Sequence, residues 1–123
     1  MVEKKWVKVE GVIKQFKLDD VKGELLRIGI LGMTVVGGDK DSGVVVRGVG
    51  QQKTHTELYR GSEYTLDYVP RIIVYVVVPE ELGDKVQEAI LHGARTDNIG
   101  DGIVYKTPIY SPRLIRDGRE LEL

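Results

Sequence analysis

The spacing of apolar and polar positions changes several times along this chain, and each change marks an element. Trp6, Val7, Lys8, Val9, Glu10, Gly11, Val12 and Ile13 largely alternate, which predicts a half-buried strand with a slip, a candidate bulge, near Gly11. From Lys17 the period becomes helical. Asp19 and Asp20 supply the acids favoured at a helix start, Val21, Leu25, Leu26 and Ile28 form one apolar face, and Gly29 ends it. Residues 30–36 read as a second strand interrupted by glycines, and residues 37–43 as a turn-rich insertion, after which the strand signal resumes at Val44. Residues 72–78 are apolar except for the Tyr75 hydroxyl, the pattern of a central strand covered on both faces or by a partner chain. Pro79 as the first residue of a helix, followed by Glu80 and Glu81, starts the second helix, whose inner face is Val86, Ala89, Ile90 and Ala94. A polar, glycine-rich loop over residues 95–102 leads to a short last strand at residues 103–105.

The order β-α-β-β-α-β is the split βαβ, or ferredoxin-like, arrangement. Right-handed crossovers then give an α+β fold: an antiparallel four-stranded sheet with two helices on one face. The opposite face is apolar enough to need a cover, which points to assembly. Residues 48–71 stand apart. They are too many for a tight hairpin, and they carry Leu58, Tyr59, Tyr64, Leu66, Tyr68 and Val69, so they are unlike a flexible linker. A long loop of this kind is usually functional, and its tyrosines suit a protein interface.

Composition narrows the function classes. A chain of 123 residues suggests one domain. A net charge of −1 argues against nucleic acid or anionic lipid as a partner. Absence of cysteine removes disulfide and thiolate chemistry. The first residues lack the apolar core of a signal peptide, and residues 72–78 are too few to span a bilayer, so a cytoplasmic protein is expected.

The candidate chemistry is anion binding. Gly48 and Gly50 allow close backbone approach and offer N–H donors, and Gly100-Asp101-Gly102 is a second such turn. With the C-terminal arginines, these turns suit a polyphosphate, although no Walker A pattern is present. His55 and His92 are not at metal-ligand spacing, and no Ser-His-Asp arrangement is suggested. No catalytic residue is assigned and no enzyme is expected.

Four stretches carry a resemblance: residues 14–21 (Lys-Gln-Phe-Lys-Leu-Asp-Asp-Val), 28–35 (Ile-Gly-Ile-Leu-Gly-Met-Thr-Val), 52–64 (Gln-Lys-Thr-His-Thr-Glu-Leu-Tyr-Arg-Gly-Ser-Glu-Tyr) and 94–102 (Ala-Arg-Thr-Asp-Asn-Ile-Gly-Asp-Gly). They resemble the PII signal-transduction proteins of nitrogen regulation. The resemblance implies a cytoplasmic homotrimer of ferredoxin-like subunits that binds ATP or ADP, and often 2-oxoglutarate, in clefts between subunits. A T-loop (about residues 48–71), a B-loop (95–102) and a C-loop (107–123) would serve binding and signalling. Carried onto this chain, nucleotide contacts fall on Val12, Met33, Thr34, Gly48, Gly50, Gln51, Gln52, Gly100, Asp101, Gly102, Arg113 and Arg116. The 2-oxoglutarate site falls on Gln52, Lys53 and Arg71, with Gln52 also on the metal of Mg-ATP. Arg71 stands where the family usually has lysine, and a solvated strand-end charge is the alternative reading of it. Arg60 is the expected partner contact, and Ser62 and Tyr64 are expected modification positions. The partner would be a membrane transporter or a metabolic enzyme.

Some positions depart from the family pattern. Ile103 replaces a phosphate-binding lysine, Leu114 stands where the first C-loop arginine is usual, and Val49 and Gln51 replace a phenylalanine and a basic residue. These changes favour ADP or AMP over ATP. They also raise the alternative of a divergent PII-like protein with an altered effector, such as ADP, AMP or an anion like bicarbonate, regulating carbon or metal transport.

Overall fold

A computed structural model describes residues 4–38, 46–49, 55–59, 62–66 and 68–122, the part before Arg71 and after Gly38 as backbone only. Its elements are β1 (Trp6–Ile13), a 3₁₀ turn (Gln15–Lys17), α1 (Leu18–Arg27), β2 (Thr34–Val36), β3 (Val46–Val49), β4 (His55–Tyr59), β5 (Ser62–Leu66), β6 (Tyr68–Pro79), α2 (Glu80–Ala94) and β7 (Gly102–Ile109). The main sheet runs β2-β6-β1-β7, antiparallel throughout, so the ferredoxin-like α+β fold is the one observed.

Strand parity explains the core. Val9 and Ile13 of β1 lie opposite Val76 and Ile72 of β6. With Val74 and Val78 they meet Val21 and Leu25 of α1 and Val86, Ala89, Ile90 and Ala94 of α2 in one buried cluster. Burying such a side chain contributes about 1.5–3 kcal/mol. The opposite face is mixed rather than apolar. Lys8, 3.2 Å from Glu10, also lies over the Tyr75 ring, and the Tyr105 hydroxyl donates to Glu10. Around this polar centre Ile73 is half-buried, and Val77 and Ile103 are exposed.

Several expectations are corrected. No bulge occurs at Gly11, because the register of β1 is continuous on both edges. A Cβ at Gly11 would stand 2.9 Å from Ile90 Cγ2, so the glycine makes room for α2. Leu26 is not on the inner face of α1. It is 55% exposed, being turned about 100° from buried Leu25. Gly29, with φ +89°, does end α1: its amide bonds Leu26 O and that of Ile30 bonds Leu25 O, a Schellman closure. Only Thr34–Val36 of the second strand forms a ladder, and Ile30, expected to open it, finishes the helix closure instead. Pro79 caps α2 rather than opening it, since it still pairs with Trp6 as the last residue of β6. β7 has eight residues instead of three and includes Pro108, which an edge strand tolerates.

The largest correction concerns the stretch expected to be a long loop. Its ends form a ladder, Val46↔Arg71 to Val49↔Tyr68, and within it β4 and β5 pair from His55↔Leu66 to Tyr59↔Ser62. Its threonines, tyrosines and leucines fit a pleated ladder as well as a loop. Val44 and most of the 37–43 insertion lie outside the described residues.

The two helices cross at Gly93, where a Cβ would stand 2.8 Å from the Val21 Cα; at Gly23 of α1 a Cβ would meet nothing within 4 Å. Opposite signs are expected. Gly23→Ala should stabilise the fold by about 0.5–1 kcal/mol through helix propensity. Gly93→Ala should destabilise it by about 1–3 kcal/mol through overpacking against main chain. Chemical denaturation of the two variants checks both.

Candidate ligand site at the end of the sheet

The register of β1 builds the site. Ile13 faces Ile72 on one side and Gly102 on the other, so the next residues along each chain segment, Lys14, Arg71 and Asp101, converge at one end of the sheet. Arg71 is the junction residue of β6. Beyond it the strand pairs with β1, and up to it the strand pairs with β3.

Asp101 locks the connection between α2 and β7. Its carboxylate accepts the Thr96 amide at 2.7 Å and the Thr96 hydroxyl, and Lys14 Nζ lies 3.2 Å away. Thr96 Oγ1 in turn accepts the amide of Asn98. Burial alone would raise the Asp101 pKa, but these hydrogen bonds and the Lys14 charge outweigh it and hold the group at about 2. Gly102 has φ +113°, and a Cβ there would collide with the Val12 carbonyl, so the strand start requires glycine. Arg71, only 7% exposed, donates from Nη2 to the Gly100 carbonyl. The reading of Arg71 as a solvated charge is therefore overturned: a guanidinium at this junction is folded into the 95–101 loop.

The expected binding residues are placed unevenly. Gly100, Asp101 and Gly102 stand together beside Val12, which lies opposite Ile73 and Ile103. Met33 and Thr34 are at the other edge of the sheet, where Thr34 pairs with Tyr75. Arg113 Nε donates to the Gly118 carbonyl at 2.8 Å, closing a turn in which Arg116 is exposed and 3.8 Å from Asp117. Gly48 is in β3, and Ser62 and Tyr64 are in β5. Gly50, Gln51, Gln52, Lys53 and Arg60 lie outside the described residues. Lys14 and Thr96 had not been singled out. Thr96 carries the weak signal of a hydroxyl opening a polar loop, but Lys14 is identified only once the register is known.

A cavity of about 90 Å³ under the loop is lined by Ile13, Ile90, Ala94, Asp101 and Gly102 among others. That is well below the roughly 300–1,000 Å³ of small-molecule sites. Beside it, the open sheet face carries the apolar pair Val12 and Ile103. Among the described residues, no cluster of three acids, histidines or cysteines could hold a metal ion, and no helix is long and apolar enough to cross a membrane.

Fold and site together define a ferredoxin-like α+β protein in which a long stranded excursion and a glycine-rich loop meet at one sheet end. The chain belongs to the nitrogen regulatory protein P-II family, whose family model matches residues 6–119. Nitrogen regulatory protein P-II of Haemophilus influenzae is 48% identical over 115 residues, 94% of this chain and 96% of that protein. The P-II protein of Rhodobacter capsulatus is 45% identical, over 90% and 92%, and P-II 1 of Escherichia coli K12 is 42% identical, over 92% and 94%. Among solved structures, that of Arabidopsis thaliana PII bound to citrate matches with a TM-score of 0.72 at 28% identity, covering 98% of this chain and 89% of that one. The family is one of regulatory signal transducers, and none of these relatives carries an enzyme's name.

The lock makes a pH prediction. Because Asp101 titrates at about 2 rather than 3.8, its contribution to stability is complete above pH 3.8 and is lost as pH falls toward 2. Asp101→Asn should therefore be less stable than the parent at pH 5–7, and the gap should close between about pH 4 and 2. Denaturant midpoints across that range measure it.

Proposed function

We propose that this chain is a homotrimeric signal-transduction regulator that senses adenine nucleotides in clefts between subunits and controls a transporter or metabolic enzyme through its 48–71 segment. The observation that carries this reading is the meeting of the 95–102 loop with the base of that segment, through Arg71 and Gly100, in a chain of this family. A nucleotide on the loop would then lie beside the effector segment. Among the described residues the open face next to Val12 and Ile103 has no second wall, and a neighbouring subunit would supply it, bringing its own Met33 and Thr34 edge to the base. The 2-oxoglutarate expectation has the same chemical basis. The Arabidopsis relative binds citrate, also a multivalent carboxylate, and Arg71 is a cation at the loop.

The phosphate end favours the shorter nucleotides. Lys14 is paired with Asp101, Arg113 is engaged with Gly118, and Ile103 holds the position of a lysine. One missing charged contact is worth about 1.5–3 kcal/mol, roughly a 10- to 150-fold loss in affinity.

Calorimetry with ATP, ADP and AMP is the test. ADP or AMP should bind at least as tightly as ATP, and Ile103→Lys should strengthen ATP by about tenfold or more while changing AMP little. Tight ATP binding that rises further with Mg²⁺ and 2-oxoglutarate would overturn the preference and restore Mg-ATP as the effector. Light scattering should give about 41 kDa, three times the 13.8 kDa chain. A 13.8 kDa species at micromolar concentration would refute the trimer.

A further inference from the structure

We propose that the end of the sheet opposite the 95–102 loop carries a ligand site of its own, a cavity that takes a small aromatic carboxylate. The cavity measures about 460 Å³, within the roughly 300–1,000 Å³ of small-molecule sites. It lies where β1 begins, β7 ends and α2 starts, and the Lys5 carbonyl, accepting the Glu80 amide at 2.9 Å, ties two of these together. Ile13 marks the other end of β1, about 23 Å away at the rise of an extended strand, so this site is separate from the one at the 95–102 loop. Val7, Pro108 and Ile109 give the cavity apolar surface, and Trp6 and Tyr110 add two aromatic rings. Tyr110 is 88% exposed, a large ring open to stacking. Trp6 is the opposite case. It is 7% exposed, yet its indole N–H has no acceptor among the described residues and is not sealed from solvent. A buried indole usually has a partner, so this donor is available to a ligand oxygen. Lys4 Nζ stands 5.4 Å from the centre of the Trp6 ring, and Lys5 is next to it in the lining; neither is in an ion pair among the described residues. Two lysines against Glu80 leave the lining with one net positive charge, which suits a single carboxylate better than a doubly charged phosphate. Backbone strain stands at the same place. Ser111, which lines the cavity beside Tyr110, has φ +54°, a left-handed conformation that is costly for a non-glycine residue before proline and that collects at ligand sites.

Trp6 is the chain's single tryptophan, so its indole N–H gives one proton–nitrogen NMR signal for the cavity. Naphthalene-2-carboxylate is the probe, and naphthalene-2-carboxamide is its uncharged control. Added to the whole chain, the acid should shift that signal saturably, and the amide should bind more weakly by about fivefold or more. Tyr110→Ala, at an exposed position, should weaken the acid by about tenfold. Lys4→Met and Lys5→Met together should bring acid and amide to the same affinity, and a preference that survives them would refute the role of the lysines. A Trp6 signal that does not move, equal affinities of acid and amide in the parent, or an unaltered titration in Tyr110→Ala would each overturn the site. So would shifts centred on Leu26 and Leu31, which would place the probe in the apolar groove beside α1. If a variant does not fold, the two parent titrations decide.

Discussion

The double pairing of β1 constrains most of what lies around it. Each of its eight residues is matched to one in β6 and one in β7, so a slip of one residue would turn every side chain to the wrong face. With the register set, Val9 and Ile13 go to the helices and Val12 to the open face, and the strand ends align. Lys14, Arg71 and Asp101 are brought together for that reason alone, from positions far apart in the chain. Gly11 belongs to the same constraint. Ile90 of α2 packs down onto this position of the central strand, which leaves no room for a side chain there.

At the sheet end, charge is used mainly for holding. Asp101 accepts from Thr96 and Lys14, and Arg71 donates to a carbonyl, so three chain segments are fastened by charged groups that on paper could have faced a ligand. A pre-formed loop of this kind has lost its freedom before any ligand arrives, which lowers the ordering cost of binding. Among the described residues, Lys14 and Arg71 are thereby already engaged.

Much of this was legible in residue order. The inner face of α2, the glycine stop of α1, the central place of the 72–78 run and the βαββαβ order all follow from periodicity and terminal chemistry, which are local. The misreadings have a common cause. Leu26 was assigned to the core because a helix stripe has no sharp edge, and Gly11 was taken for a bulge because a missing side chain and an extra residue disturb alternation alike. Residues 48–71 were expected to be loop because their alternation is weak; the strands there form by pairing with one another and with β6, which no single stretch displays.

The candidate site divides along the same line. Gly100, Asp101 and Gly102 announced themselves as a turn able to approach a ligand, and family motifs marked Arg71. Neither the partner of Arg71 nor the roles of Lys14 and Thr96 were visible, since hydrogen bonds across the sheet end exist only after the strands are in register. Local order along the chain thus sufficed for the two helices, the βαββαβ order and the family. Which carboxylate is a fastening, which cation is already engaged and which face remains open were settled by folding, because each is a relation between residues that chain connectivity keeps apart.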